Sequence, residues 1–218
     1  MCGRYSVFDE ESILEMRRIV HEVESQFTPA EPDAVQGSFA PDGSVSFDLS
    51  PIKKGEIAPS DPAPVFMPLP DLSGYRAVPM RWGFPKPGGG KGVIFNARSE
   101  TAATLPLFRR SLRERRIVVP STGFYEWDKL GGTRARYLFR PAGKTMTYMA
   151  GIFNLFSDGF GEYPAFVILT RPAEGVIARF HHRMPAVLDE SRISDWLFDD
   201  RAVPDLLKAS VPLQALSS

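Results

Sequence analysis

The chain begins with the residues MCGRY, and Cys2 is the only cysteine among its 218 residues. Removal of Met1 would expose a 1,2-aminothiol, in which the amine has an ordinary pKa of about 7.7 to 8.0 and the thiol one of about 8.5. With an aldehyde, the amine forms a Schiff base and the thiol closes onto the same carbon to give a thiazolidine. With an amide, the amine can instead act as the base for thiolate attack, as in N-terminal-nucleophile hydrolases. The alternative is a buried, unreactive cysteine.

Three further polar side chains lie within or beside apolar segments, where a polar group is costly unless it is satisfied or used. Asn96 follows an apolar strand in GVIFNARSET, Glu126 lies between two aromatic residues in GFYEW, and His181 lies between a predicted helix and an apolar strand in ARFHHRMPAVL. Aromatic surroundings should raise the pKa of the Glu126 carboxyl toward the range of a general acid. With Cys2 these residues supply a nucleophile, an orienting amide, an acid and a proton shuttle. The alternatives are a solvent-facing strand residue for Glu126 and a loop or core histidine for His181.

Charge is segregated along the chain although the total is balanced. Residues 1–75 carry 5 basic and 13 acidic residues, a net charge of −8, whereas residues 76–118 carry 10 basic and 2 acidic residues, a net charge of +8. Eight of those ten cations are arginine, whose guanidinium suits bidentate contact with phosphate. An anionic polymer is therefore a candidate partner. The alternative for the stretch FRRSLRERR (108–116) is a solvated helix face.

Hydrophobic periodicity predicts a mixture of strands and peripheral helices. A short strand is expected around Arg4 to Val7, a helix over 9–25 that Asp9 caps, and a long acidic loop over 28–50. Further helices are predicted at 101–115, 172–180, 190–198 and 203–209, and strands at 64–69, 77–84, 93–95, 116–127, 135–140, 145–154 and 163–170. Neighbouring strands joined by turns, with no alternating βαβ rhythm, favour a curled mixed or antiparallel sheet. We predict a single α+β domain over residues 1–218, with a barrel-like sheet.

Composition excludes several other classes. No stretch approaches the roughly 18 consecutive apolar residues of a membrane span, and the N-terminus lacks a signal-peptide pattern. We expect a cytoplasmic monomer that contacts no membrane. His181 and His182 are adjacent and cannot easily face one ion, and no second ligand pair has a recognised spacing. We therefore predict neither a metal nor a cofactor.

Six short motifs together resemble one protein family. They are MCGRY at 1–5, IAPS at 57–60, MRWGF at 80–84, NARSET at 96–101, GFYEW at 123–127 and HHRMP at 181–185. Their order and approximate spacing resemble the SOS response-associated peptidase family of abasic-site processing proteins, over residues 1 to about 190. Two local differences from that family are the PKPGGGKG segment, where relatives have a further aromatic residue, and His182 at a position that is commonly acidic.

The resemblance implies an activity and a set of catalytic residues. Family members remove Met1 autocatalytically, and their exposed cysteine condenses with the ring-opened aldehyde of an abasic site in single-stranded DNA. By this resemblance Cys2 is the nucleophile that forms the reversible cross-link, and Asn96 positions the sugar and the cysteine amine. Glu126 would shuttle protons during ring opening, Schiff-base formation and reversal. His181 would contact the sugar oxygen.

The resemblance also implies DNA contacts. Arg4 and Arg98 look like the family's phosphate contacts, and Trp82 and Phe84 match a segment beside DNA, where stacking on bases is one role and core packing the other. The matching motifs also place Arg81, Met184 and Pro185 at the DNA. Further phosphate contacts are expected from Arg109, Arg110 and Arg113.

Two functions from other classes remain open at this point. One is a glutaminase-type N-terminal-nucleophile amidohydrolase, many of which also begin Met-Cys-Gly. The other is a single-strand binding module without catalysis, in which the cysteine has no chemical role.

Overall fold

The computed structural model describes residues 3–7, 55–128 and 135–218. Cys2, the helix predicted over 9–25 and the loop predicted over 28–50 lie outside the described residues. Fifteen strands lie within the described ranges. They are β1 (Tyr5–Val7), β2 (Gly55–Ile57), β3 (Pro62–Pro68), β4 (Tyr75–Trp82), β5 (Phe84–Pro85), β6 (Val93–Ile94), β7 (Asn96–Arg98), β8 (Arg116–Ser121), β9 (Gly123–Trp127), β10 (Arg136–Pro141), β11 (Thr147–Asp158), β12 (Gly161–Pro172), β13 (Arg183–Pro185), β14 (Val187–Leu188) and β15 (Leu213–Ser217).

The larger sheet closes on itself. Its strand order is β13-β12-β4-β3-β8-β11-β14, and β12 also pairs with β7 and with β11. Because β12 pairs with both β4 and β11, the path β4-β3-β8-β11-β12 returns to its first strand. The pairing of β12 with β4 and with β7 is parallel, while the other pairings in this sheet are antiparallel. The predicted α+β class with a curled, mixed, barrel-like sheet is confirmed.

A smaller sheet packs against one face of the larger one. Its order is β15-β10-β9-β1-β2, and all its pairings are antiparallel. Alternation along β8 shows how the faces divide, because successive side chains of a strand point to opposite sides. Ile117 and Val119 join the apolar cluster that contains Phe124 of the smaller sheet, whereas Val118 joins the cluster that contains the helices. Both faces of β8 are covered, so its sequence is almost continuously apolar.

The segment RIVVPSTGFYEW forms two strands, and the prediction of a single strand is wrong. β8 ends at Ser121 in the larger sheet, and β9 begins at Gly123 in the smaller one. The crossing requires glycine, because Gly123 has a φ of +146°. A Cβ at this position would also lie 2.7 Å from a side-chain carbon of Leu138 and 2.7 Å from the carbonyl oxygen of Phe139.

The helices are shorter than the sequence predicted. Four α-helices are described, namely α1 (Ser99–Ala102), α2 (Pro106–Glu114), α3 (Ile193–Phe198) and α4 (Val203–Leu206). The helix predicted at 101–115 is broken between α1 and α2, where Pro106 starts a new helix because proline suits the first helical turn. The helix predicted at 172–180 is a 3₁₀ turn, Gly175–Arg179. Among the described residues, no helix has the length and apolar character needed to cross a membrane.

Candidate functional site

Glu126 lies on β9 and faces the core between the two sheets. It is 4% exposed, so the carboxyl is buried. Its side chain shares a face with that of Phe124, two residues earlier, which belongs to the core cluster between the sheets. The burial that the flanking aromatic residues predict is therefore confirmed, while the predicted rise in pKa stays a prediction.

The N-terminal strand runs antiparallel to β9 and leads back toward Glu126. Tyr5 pairs with Phe124, and the backbone N–H of Tyr125 donates to the carbonyl of Arg4 at 2.9 Å. Extended two residues beyond the Tyr5–Phe124 pair, this register would set Gly3 opposite Glu126. Cys2 is bonded directly to Gly3 and lies outside the described residues.

Asn96 begins β7, which pairs in parallel with β12. Asn96 is aligned with Ile168, so the two side chains share a face, and Ile168 belongs to the same core cluster as Phe124. The preceding carbonyl, that of Phe95, accepts hydrogen bonds from the Trp82 indole N–H at 2.9 Å and from the Ile168 backbone N–H at 3.1 Å. These two donors on the carbonyl of Phe95 fix the backbone at the start of β7, where Asn96 lies.

Trp82 connects the strand of Asn96 to the N-terminal strand. Its side chain is fully buried, its ring centroid lies 4.8 Å from that of Tyr5, and its indole nitrogen holds Phe95. Stacking on DNA requires an exposed ring, and the Phe84 ring is also fully buried, 4.9 Å from that of Phe156. Trp82 and Phe84 therefore pack in the core, which was the alternative to a stacking role.

His181 follows the 3₁₀ turn and is held by backbone contacts. Its N–H donates to the carbonyl of Ile177 at 3.0 Å, and its Nδ1 accepts from the backbone N–H of Arg183 at 2.9 Å. The same Nδ1 lies 3.1 Å from the carbonyl oxygen of Arg183, so the Nδ1 edge of the ring is held against the Arg183 backbone. The ring of the adjacent His182 stacks on it with centroids 4.3 Å apart.

Contacts of the neighbouring Phe180 link His181 to the strand of Glu126. The Phe180 ring lies 4.9 Å from that of Tyr137 and 5.0 Å from that of Phe139. Tyr137 is the residue directly opposite Glu126 in the β9–β10 pair, so the two side chains lie on one face. Residues beside all three predicted side chains thus meet in the apolar cluster between the sheets: Phe124 belongs to it, and Phe95 and Phe180 pack against it.

An ion pair that the sequence analysis did not identify ties the His181 segment to the Asn96 segment. The buried guanidinium of Arg183 forms a bidentate pair with the Glu100 carboxylate, with one contact at 2.8 Å, and also donates to the carbonyl of Thr170. The hydrogen bonds from Arg183 lower the pKa of Glu100 to about 2. Glu100 lies four residues after Asn96, and Arg183 lies two residues after His181. In the sequence the two residues are linked only through the family motifs that contain them, NARSET for Glu100 and HHRMP for Arg183.

The predicted phosphate contacts differ in their surroundings. Arg4 is exposed and forms an ion pair with Glu56, which also contacts Arg136 at 2.9 Å. Arg98 is exposed and forms no ion pair within the described part of the chain. It lines a cleft of about 560 Å³ together with Asn96 and the first residues of α2.

The predicted DNA contacts Arg81, Met184 and Pro185 do not line this cleft. Arg81 is exposed, and its guanidinium lies 5.8 Å from the centre of the Tyr163 ring, beside the turn between β11 and β12. Met184 and Pro185 are buried, and Met184 belongs to the core cluster between the sheets. Their side chains support the fold around His181.

The family model for SOS response associated peptidase (SRAP) proteins matches residues 1–217 of this chain. The chain belongs to the SRAP family. Its curated SRAP relatives include YoqW of Bacillus subtilis, 27% identical over 217 residues that cover 96% of this chain and 85% of YoqW. They also include YedK of Escherichia coli, 26% identical over 70% of this chain and 68% of YedK, and rat HMCES, 29% identical over 67% of this chain and 52% of HMCES. All three relatives are named abasic site processing proteins.

Solved structures confirm the fold of this SRAP chain. A crystal structure of a Bacteroides thetaiotaomicron protein superposes with a TM-score of 0.74 and 20% identity, covering 99% of this chain and 91% of that one. A Bordetella bronchiseptica protein superposes with a TM-score of 0.71 and 20% identity, covering 100% of this chain and 99% of that one.

Proposed function

We propose that this SRAP protein processes abasic sites by forming a covalent, reversible adduct between Cys2 and the ring-opened sugar in single-stranded DNA. The relatives named abasic site processing proteins support the substrate class. The observation that carries the proposal is the register of β1 on β9: extended two residues beyond the Tyr5–Phe124 pair, it would set Gly3, the residue bonded to Cys2, opposite the buried Glu126. In this proposal Glu126 is the proton-transfer group for the aminothiol.

The proposed reaction has two bond-forming steps. The Cys2 amine adds to the aldehyde carbon of the opened sugar and water leaves, which gives a Schiff base. The thiol then adds to the same carbon, and its proton passes to the nitrogen as the thiazolidine closes. No redox partner is needed, and hydrolysis by the reverse path returns the amine, the thiol and the aldehyde.

Removal of Met1 must precede this reaction, because a peptide nitrogen cannot form a Schiff base. We propose that the chain performs this step itself: the Cys2 thiol attacks the Met1 carbonyl carbon, and the peptide C–N bond breaks to leave a thioester. Glu126 donates a proton to the departing amine as this bond breaks. Water then hydrolyses the thioester, which releases methionine and returns the thiol. The intact mass of purified Glu126→Gln protein tests this step: retained methionine is the expected result, and complete removal in that variant would assign the cleavage to another enzyme.

The other residues have separate roles in the proposal. Asn96 orients the sugar and the Cys2 amine through its amide, and the support for this role is its fixed position on β7. His181 donates from Nε2 to the sugar ring oxygen during opening, and the support for this role is the Arg183 backbone, which holds the Nδ1 edge of the ring. Arg4 and Arg98 contact phosphates, and both are exposed.

The decisive experiment mixes the mature protein with an oligonucleotide that contains one abasic site and resolves the products on a denaturing gel. The wild-type protein should give a shifted band without borohydride. Cys2→Ala lacks the thiol that would remove Met1 and close the thiazolidine, so its only amine at the chain end is that of Met1 or, if another enzyme removes Met1, of the alanine that replaces Cys2. Its adduct should therefore appear only after borohydride reduction of a Schiff base. Because the chain has one cysteine, a borohydride-independent band in this variant would contradict the proposal. Ammonia release from glutamine by the wild-type protein would instead indicate an amidohydrolase.

A further inference from the structure

A second, basic cleft lies beside the candidate site. It has a volume of about 680 Å³, and four arginines line it together with Asp200, namely Arg109, Arg110, Arg113 and Arg116. The first three are exposed residues of α2, and Arg116 follows that helix at the start of β8.

Arg116 forms the fixed floor of the cleft. Its side chain is buried, and its Nε donates to the carbonyl of Trp196 at 2.6 Å. Its Nη1 donates to two carbonyls of the last turn of α2, and its Nη2 contacts the carbonyl of Leu197 and the carboxylate of Asp200. These contacts use the donors of the guanidinium and cap the helix. A ligand in this cleft would therefore be held by the exposed arginines of α2.

The exposed arginines carry more positive charge than their neighbours balance. Arg110 and Arg113 both pair with one carboxylate, that of Glu114, and their hydrogen bonds lower its pKa to about 2. Arg109 forms no ion pair among the residues that the structure describes, and it lies one helical turn before Arg113. Like charges at this spacing repel each other. A bound anion would relieve this repulsion, and arginine side chains suit phosphate.

The basic cleft and the cleft lined by Asn96 and Arg98 both border α2. Both clefts flank the start of α2: the first is lined by Asn96, Arg98 and Leu105, and the second begins at Ala103 and Arg109. Ala103 and Leu105 are exposed, so they form a low ridge between the two clefts. A DNA strand that runs from Asn96 past Arg98 and over this ridge would reach the arginines of α2 next.

We propose that α2 is a phosphate track for the single-stranded DNA on one side of the lesion, with Arg109 and Arg110 as its first two phosphate contacts. This inference rests on the proposed function, because it places the abasic nucleotide at Asn96. The contacts carry no base information, so the track binds any flanking sequence.

The test compares Arg109→Gln/Arg110→Gln with a matched control, Lys144→Gln/Arg192→Gln. Both variants remove two positive charges. Lys144 lies in the turn before β11, near the end of the closed larger sheet where Thr147 pairs with Ser121. The basic cleft lies near the opposite end, where Ile152 pairs with Arg116. Binding of undamaged single-stranded oligonucleotides, measured by fluorescence anisotropy over a salt series, reports the track without any covalent step.

For Arg109→Gln/Arg110→Gln, the track variant, the slope of log K against the logarithm of the salt concentration should be smaller in magnitude by about 1.4, where K is the association constant. Each lost phosphate contact on a single strand removes about 0.7 from this slope. The control variant should leave this slope unchanged. Among abasic oligonucleotides extended on only one side of the lesion, the track variant should bind those of one strand polarity more weakly and those of the other polarity normally. An abasic oligonucleotide with minimal flanks should form adduct with this variant at the wild-type rate. An unchanged slope in the track variant, or equal losses for both polarities, would overturn the track. Absence of any wild-type adduct, with the slope change still present, would overturn the proposed function instead.

Discussion

Replacement of Trp82 by phenylalanine tests the idea that this residue positions the site. The substitution keeps an aromatic ring beside Tyr5 and removes the N–H that holds the carbonyl of Phe95. Because that carbonyl also accepts from Ile168, it keeps one partner, and the lost hydrogen bond costs about 0.5 to 1.5 kcal/mol. The smaller ring adds a void in a fully buried position, where complete truncation of a tryptophan costs about 3 to 5 kcal/mol.

We therefore expect Trp82→Phe to lower the free energy of unfolding by about 1 to 3 kcal/mol, which corresponds to a fall in Tm of about 2 to 12 °C. At a temperature where the variant is fully folded, the rate of adduct formation with abasic DNA should fall several-fold, because Asn96 is no longer fixed relative to the N-terminal strand. Affinity for undamaged single-stranded DNA should stay unchanged. Urea unfolding and single-turnover adduct kinetics measure the two effects.

The chain offers a matched control in Trp196→Phe. Trp196 is also fully buried, and its indole N–H also donates to a backbone carbonyl, that of Ile117, at 2.9 Å. It packs in the cluster on the helical side of the larger sheet. Trp196→Phe should therefore lose similar stability and keep the wild-type adduct rate. If both variants slow adduct formation equally, or if Trp82→Phe lowers neither the free energy of unfolding nor the adduct rate, the positioning role is wrong.

Three further outcomes follow from other contacts. The pKa of Glu100 in the folded protein, about 2, lies below its usual 4.5, so its pairing with Arg183 contributes stability that is complete above about pH 4.5 and is lost as the pH falls toward about 2. Because the Glu100 side chain is 44% exposed and its charge is screened, Glu100→Gln should cost about 1 kcal/mol at neutral pH and remove this acid dependence, as urea titrations over a pH series would show. Gly123→Ala should lose at least about 1 to 3 kcal/mol from backbone strain alone, whereas Gly159→Ala, where an added Cβ meets nothing within 4 Å, should be close to neutral in thermal unfolding. Arg116→Met should cost about 2 to 4 kcal/mol in the same assay, since it leaves several buried carbonyls without their charged donor.

The sequence by itself determined the family and the residue types of the candidate site. Glu126 between aromatic residues predicts a buried carboxyl, and the structure confirms that burial. Asn96 after an apolar strand and His181 between a helix and a strand were also identified from local pattern. Apolar segments separated by glycine and proline turns identified most of the longer strands, because the burial of a strand is reflected in its own residues.

Only the tertiary structure decided which of these segments meet. The Arg183–Glu100 pair joins residues 83 positions apart in the chain, and Trp82 fixes Phe95 while it packs against Tyr5. A side chain's local pattern tells which face it occupies, but its partner across that face depends on strand order and register. For the same reason the motif that contains Trp82 predicted a surface role as readily as a core one. Its burial follows from the smaller sheet packing over β4, which no local pattern specifies.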